Sequence, residues 1–263
     1  MSRLTWDVVG EHLFQVGIDR GVLYLPSQPG VPWSGLTSVD ENPKGGDPRP
    51  FYLDGVKYLN LPGTEEFEAT IKAYTYPDEF AVCDGTVDVR PGLQLTQQRR
   101  VPFGFSYRTL VGNDVVGAEL GYKIHIVYNA LAAPSSRNNE SISDSVSPQV
   151  FSWDITTCPP AMTGYRRASH VIIDSLETEP EHLALIEDIL YGTDMEAARI
   201  PTLDELIVVY DTDLGFTVTD NGDGTWTATG SSAYITMLTS EIFQIDVSTA
   251  VVVDADTYTL STL

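Results

Sequence analysis

Cysteine and positive charge are the scarce commodities of this 263-residue chain. Two cysteines occur, Cys83 and Cys158, and neither belongs to a Cys-x-x-Cys pair, which excludes a zinc ribbon or a thioredoxin-type centre on spacing. Reduced, buried thiols in a protein made in a reducing cytoplasm are the expectation. No run approaches the roughly 18 consecutive apolar residues of a membrane helix, and Met1 to Asp7 lacks the apolar stretch of a secretory signal. Neither a membrane span nor a secreted precursor is therefore expected. Lys and Arg number 15 against 37 Asp and Glu, a net charge of −22 at pH 7. Phosphate affinity comes from Lys and Arg displacing counterions, so a chain this acidic repels nucleic acid and the anionic face of a bilayer at long range.

Apolar residues make up 42% and aromatics 10%, enough for a packed globular core. The charge is unevenly spread. Arg199 is the last basic residue, and the stretch from Ile200 to Leu263 holds ten carboxylates with no Lys or Arg. Residues 1–199 thus carry −12 (27 acids, 15 bases) and the tail −10. A shift this abrupt predicts a boundary near 200, separating a domain over 1–200 from a small acidic one over 201–263.

Most of residues 10–175 reads as strand and turn. His12 to Leu25 is β-rich. Phe51 to Leu53 and Val56 to Leu59 flank Asp54-Gly55, a dipeptide that tolerates the positive φ of a tight hairpin. Glu66 to Tyr74 alternates, with Phe67, Ala69, Ile71 and Ala73 set for a core and Glu66, Glu68 and Lys72 for water. Further strands are expected over Phe103–Leu110, Tyr122–Ala132, Val150–Thr157 and His170–Asp174. A helix starts at Glu179-Pro180, with Leu183, Ile186, Ile189 and Leu190 on one face and Gly192 as its stop. Thr202-Leu203-Asp204-Glu205 matches a capping box for a second, short helix with Leu203, Leu206, Ile207 and Tyr210 as its apolar side. Beyond it, Phe216–Thr219 and Trp226–Thr229 bracket the turn Asp220 to Gly224. Residues 40–50 are too rich in Pro and Gly for a regular element, and 134–148 is polar, so both are expected to be long loops.

Catalytic and ligand-binding signatures are lacking. Gly222-Asp223-Gly224 has neither the third glycine nor the following helix of a dinucleotide site, and Asp220 to Gly224 lacks the spaced acids of a calcium loop. His12, His125, His170 and His182 stand alone at metal-ligand spacings. His182, flanked by Glu179 and Glu181, reads as part of a solvated helix face. Gly104-Phe105-Ser106-Tyr107-Arg108 has Arg where a nucleophile elbow closes with Gly. Glu65, Glu66 and Glu68 are neighbouring carboxylates in a chain where such neighbours are common, and Asn139-Glu140-Ser141 is a glycosylation sequon only in a secretory setting. No catalytic residue, metal site or cofactor is expected.

Several separate runs carry a family resemblance: Gly17 to Leu25 (GIDRGVLYL), Gly55 to Leu61 (GVKYLNL), Glu65 to Phe80 (EEFEATIKAYTYPDEF) with Cys83-Asp84-Gly85, Phe103 to Asp114, Gly121 to His125, and Leu190 to Thr193. In this order the chain resembles the major tail proteins, or tail tube subunits, of long non-contractile-tailed phages that infect actinobacteria. The resemblance covers most of residues 5–200. The stretch beyond Pro201 resembles a β extension carried by some of these proteins, and the departures lie mainly in the two loops. The resemblance implies a mainly β fold, a two-sheet sandwich or flattened barrel with one flanking helix. It further implies six-membered rings stacked into a tube around a tape-measure protein, ended by a terminator or distal tail protein. Such a protein would be found in the virion tail after synthesis in the bacterial host cytoplasm.

On that basis double-stranded DNA passes through the tube and is repelled by an acidic wall rather than bound. The Debye length of about 8 Å at physiological salt means that only wall residues set the field in the channel. Glu66 and Glu68 are the candidate lumen acids, with an ordinary solvated outer face as the competing assignment. Asp40, Glu41, Asn42, Lys44, Asp47 and Arg49 form a candidate inter-ring loop, and Ser135, Arg137 and Asn139 a candidate second contact loop. The acidic tail is assigned to the tube exterior, where self-repulsion is better screened. Two readings from other classes stand beside this one. A carbohydrate- or host-surface-binding β module predicts clustered exposed aromatics, whereas Trp6, Trp33, Trp153 and Trp226 are scattered. A β-sandwich hydrolase lacks a nucleophile, metal set or base–orienter pair.

Overall fold

A computed structural model describes residues 6–137, 139, 141 and 148–211, and the backbone of four strands within 217–261. The chain forms two compact units, Met1–Leu203 and Asp204–Leu263. No helix among the described residues is long and apolar enough to cross a membrane.

The larger unit is mainly β. Its frame is one antiparallel sheet of eight strands: β1 (Phe14–Tyr24), β2 (Val31–Trp33), β3 (Leu36–Glu41), β8 (Glu68–Ala73), β11 (Phe103–Asn113), β12 (Gly117–Ala132), β13 (Phe151–Thr157) and β14 (His170–Asp174). The order across the sheet is β2-β1-β11-β12-β13-β8-β3, with β14 beside β12. The two layers of the expected sandwich are thus parts of a single sheet folded over on itself. The fold occurs within β12, whose residues Lys123 to Val127 pair with β14 while Ala130 to Ala132 pair with β13. Between those ladders Asn129 takes a φ of +48°, and its side-chain amide donates to the Cys158 carbonyl. Asparagine tolerates this left-handed conformation better than most residues, and a residue out of register is how a strand turns sharply.

Alternation fills the space between the layers. Ala69, Ile71 and Ala73 of β8 are buried as the sequence pattern requires, and Ile71 lies opposite Trp153 of β13. The small alanines leave room for an aromatic cluster in which Phe80 lies 4.6 Å from Trp33, 5.0 Å from Trp153 and 5.3 Å from Phe103, ring centre to ring centre. Phe80 comes from a short 3-10 turn, Asp78–Val82. Cys83 follows it into the core, where burial pushes its thiol up to about 12. Cys158 departs from expectation and is exposed; both cysteines are free.

The opposite face of β11 and β12 is buried as well. Ser106, Ile124 and Ile126 alternate with Tyr107, His125 and Val127 and are buried, and helix α1 (Pro180–Tyr191) is tied to this part of the sheet. The Tyr24 hydroxyl donates to the Leu190 carbonyl at 2.8 Å and sits 3.1 Å from Ser106 Oγ, which ties helix to sheet. Tyr122 adds a bond from its hydroxyl to Glu187. Proline stands in the first turn of α1, and Gly192, at a φ of +80°, donates its N–H to Asp188 to end it. The buried positions are His182, Ile186 and Leu190, four residues apart. His182 is therefore an inward residue and not part of a solvated face.

Two other expectations change. Residues 40–50 are not one long loop: Asp40 and Glu41 end β3, Lys44–Gly45 form the short strand β4, and Arg49 opens β5 (Arg49–Leu53). Gly45, at a φ of +79°, lets β4 pair with β7 (Glu65–Glu66), because a side chain there would stand 2.5 Å from the Thr64 carbonyl. The strand expected over Glu66 to Tyr74 is accordingly broken at Phe67, and Glu66 and Glu68 belong to different ladders.

In the smaller unit, helix α2 (Leu203–Asp211) begins where the capping box was read. β15 (Thr217–Asp220), β16 (Thr225–Thr229), β17 (Val251–Asp254) and β18 (Thr257–Ser261) form a sheet in the order β15-β16-β18-β17. The first two pair antiparallel, as the hairpin reading requires, with the turn itself outside the described residues.

The segment before β1 is fastened by Asp114, whose carboxylate accepts from the Gly10 N–H and faces His12 Nδ1 at 3.0 Å. Hydrogen bonding and the charge of Asp114 raise the His12 pKa above 6.5, and His12 in turn lowers that of Asp114 below 3.8. The His12 contribution is complete below its unfolded pKa and is lost as pH rises through the raised folded value; that of Asp114 is lost as pH falls through the depressed one. Amide exchange at Gly10, corrected for intrinsic rate, should show greatest protection between these limits. His12→Gln should remove the loss on the alkaline side.

Candidate functional site

Two hairpins stand apart from the main sheet. The first joins β5 to β6 (Val56–Leu61) through Asp54-Gly55, both at positive φ, as a two-residue turn demands. Every residue of both strands is exposed, and they include Phe51, Tyr52, Leu53, Val56, Tyr58 and Leu59, with Tyr58 at 75% and Val56 at 69% exposure. A strand in a folded protein ordinarily hides one face. This hairpin hides neither. The second joins β9 (Val87–Arg90) to β10 (Leu93–Leu95) across Pro91-Gly92 and exposes Val87, Val89, Leu93 and Leu95. A two-stranded hairpin is marginal in water by itself, and apolar groups exposed together mark an interaction surface.

The main sheet also has open borders. β2 pairs with β1 only over Gly21 to Leu23, so the outer side of Phe14 to Asp19 has no ladder partner among the described strands. Phe14 and Val16 are exposed there. β14 is likewise paired on one side only.

The acids and bases expected to act fall in distinct settings. Glu66 is exposed and opposite Lys44 in the β4–β7 ladder; Glu68 is half-buried, and its carboxylate is ion-paired with Lys44. Asp40 holds Lys72 at 2.7 Å, while the Asn42 amide donates to the Asp40 carbonyl. Asp47 and Arg49 are exposed, and Arg49 opens the first hairpin. Ser135 is half-buried and Asn139 exposed. Arg137 is ion-paired with Asp84 and lies 5.5 Å from the Phe151 ring centre, so it is fixed to the body rather than free. Much of the basic charge is spent in this way: Arg108 grips Asp19 through two bonds of 2.7 Å, Lys123 holds Asp174, and Arg20 reaches Glu187.

The histidines do not all stand alone. His125 Nδ1 lies 3.1 Å from His170 Nε2 and 3.4 Å from Glu41 Oε1, and His170 Nδ1 is 3.9 Å from Glu41 Oε2. The Tyr107 hydroxyl donates to Glu41 Oε1 at 2.7 Å, and Thr109 Oγ1 is 3.1 Å from His125 Nε2. The rings are layered, Tyr107 on His125 at 4.6 Å and Phe67 on His170 at 4.4 Å. Hydrogen bonding from His125, reinforced by Tyr107, lowers the Glu41 pKa to about 2, against a smaller opposing effect of burial. Burial lowers that of His170 to about 4, and burial likewise raises that of Tyr107. Glu41 is thus a carboxylate and His170 an uncharged imidazole at neutral pH. The members of this group come from β3, β11, β12 and β14, so no spacing along the chain could reveal it. The second hairpin, in contrast, had a visible signal: Val87-Asp88-Val89-Arg90 alternates up to Pro91-Gly92.

No protein-family model matches the chain, and no curated protein matches it. Among solved structures, the chain is similar to the tube-terminating cap of the anti-feeding prophage (15% identity, 66% of this chain and 97% of that one, TM-score 0.33). It is also similar to a chain of the PVC sheath–tube complex, an extracellular contractile injection system in the extended state (19% identity, 59% and 88%, TM-score 0.29). A third is the sheath/tube terminator of the PVC system (13% identity, 61% and 97%, TM-score 0.30).

Proposed function

We propose that this protein is a structural subunit of a phage-type tail tube whose copies join by sheet borders into rings and stack through the β5–β6 hairpin. The observation that carries this reading is that hairpin, exposed throughout and carrying large apolar side chains on both faces among Arg49, Lys57 and Asn60. A second copy is the partner that fits: hydrophobic groups of this size each contribute about 1.5–3 kcal/mol when buried, and the open side of β1 offers the unpaired backbone that a neighbouring strand completes. An interface that runs head to tail closes around a ring and remains open along its axis. Ring number six, a tape-measure protein within and a terminator at the end follow the family resemblance. The hairpin itself, at 49–61, and not the preceding 40–48 stretch, is the inter-ring element in this reading. The glycan-platform alternative loses Trp33 and Trp153, which are buried in the core.

Wild-type protein should form rings or tubes by electron microscopy and sediment accordingly. Introducing charge by Phe51→Asp with Tyr58→Asp should weaken stacking by roughly 30-fold or more, since a buried aromatic hot spot is worth about 2 kcal/mol or above. Wild-type protein that remains monomeric, or a double variant that still forms tubes, would overturn the reading.

Within the tube, Glu66 is the acid proposed for the channel wall, because Lys44 already neutralises Glu68. Phages carrying Glu66→Lys should then eject DNA more slowly than wild type, and unchanged kinetics would remove Glu66 from the lumen. The acidic smaller unit is proposed for the exterior. Truncation after Leu203 should leave tubes that assemble and have the same bore; failure to polymerise would place that unit in the ring contact.

A further inference from the structure

The Glu41–His125–His170 group has features that neither a tube wall nor an assembly surface requires. Two imidazole nitrogens point at one another 3.1 Å apart, with a carboxylate oxygen 3.4 Å from the first. Bonds of about 2.0–2.1 Å to a tetrahedral ion place neighbouring ligand atoms about 3.3 Å from each other. All three donors lie within 4.8 Å of one another. The surrounding side chains set the donors in advance. Tyr107 and Phe67 fix the two ring planes by stacking, and the Tyr107 hydroxyl steadies Glu41. Thr109 Oγ1, 3.1 Å from His125 Nε2, anchors the far side of that ring, as an outer hydroxyl commonly orients a ligating imidazole. No Lys or Arg among the described residues is ion-paired with Glu41; the groups facing it are His125, His170 and Tyr107.

We propose that Glu41, His125 and His170 form a binding site for a divalent first-row cation of the Zn2+ class, with a fourth position open on the accessible Glu41 side. Two nitrogens and one oxygen are borderline donors that suit such an ion and not Mg2+ or Ca2+, which take oxygen shells. The bound ion would join the end of β3 to β12 and β14, elements that share no ladder with β3. The proposal is independent of tube formation.

Chelator-treated full-length protein should take up a single equivalent of Zn2+ in calorimetry and unfold at higher temperature with the ion present. Co2+ in its place should give the visible absorption of a tetrahedral site. Glu41→Gln and His170→Asn should each weaken Zn2+ binding at least about tenfold, Thr109→Val by a smaller factor within the range of outer-shell changes, and His12→Gln not at all. Glu41 lies at the accessible end of its strand, so its variant keeps the test alive if His170→Asn fails to fold. Absence of uptake by the wild-type protein, or equal uptake by Glu41→Gln, would overturn the site and leave two imidazoles sharing a proton.

Discussion

One strand has to belong to two layers. β12 pairs with β14 and bonds helix α1 through Tyr122 in its first part, then turns to pair with β13 after Asn129, and the closed aromatic core depends on that turn. A straight β12 would carry Ala130 to Ala132 away from β13 and leave Trp153 and Phe80 facing water. The cost of a left-handed residue is small beside burial of those rings, each worth a few kcal/mol. The Asn129 amide bond to Cys158 also satisfies polar groups that the turn withdraws from the ladder.

From that turn follows the uneven finish of the molecule. The interior is packed with aromatic and aliphatic side chains, and charges at its margin are paired, as with the two-pronged Arg108–Asp19 bridge. The periphery is the reverse, with strand borders and two hairpins offering apolar side chains and backbone to whatever arrives. Such contrast fits the proposed assembly of identical copies, since exposed sheet borders are ordinarily covered in a protein that stays single.

The regular elements were largely legible because their periods are short. Alternation over Glu68 to Ala73 marks β8, and the four-residue recurrence of Ile186 and Leu190 marks α1. Residues 40–50 depart from the expected loop because their proline and glycine serve regular elements. Gly45 in fact supplies the close approach of β4 to β7, and Pro50 occupies a two-stranded hairpin, where a missing N–H is tolerated. The histidine pair was invisible for a different reason. His125 and His170 lie 45 positions apart, and Glu41 joins them only after the sheet has folded over. Exposure of the β5–β6 hairpin was equally hidden, because a sequence pattern shows which side chains share a face but not whether anything covers it.

The strong negative charge acquires a different meaning beside those bare hairpins. Like-charged molecules repel beyond contact, across a screening distance of about 8 Å at physiological salt, whereas oily side chains attract only on touching. A surface that is forbidding from afar and adhesive at touch filters collisions: glancing encounters are turned back, and those engaging a whole hairpin endure. The −22 charge thereby acts as a gatekeeper against indiscriminate clumping.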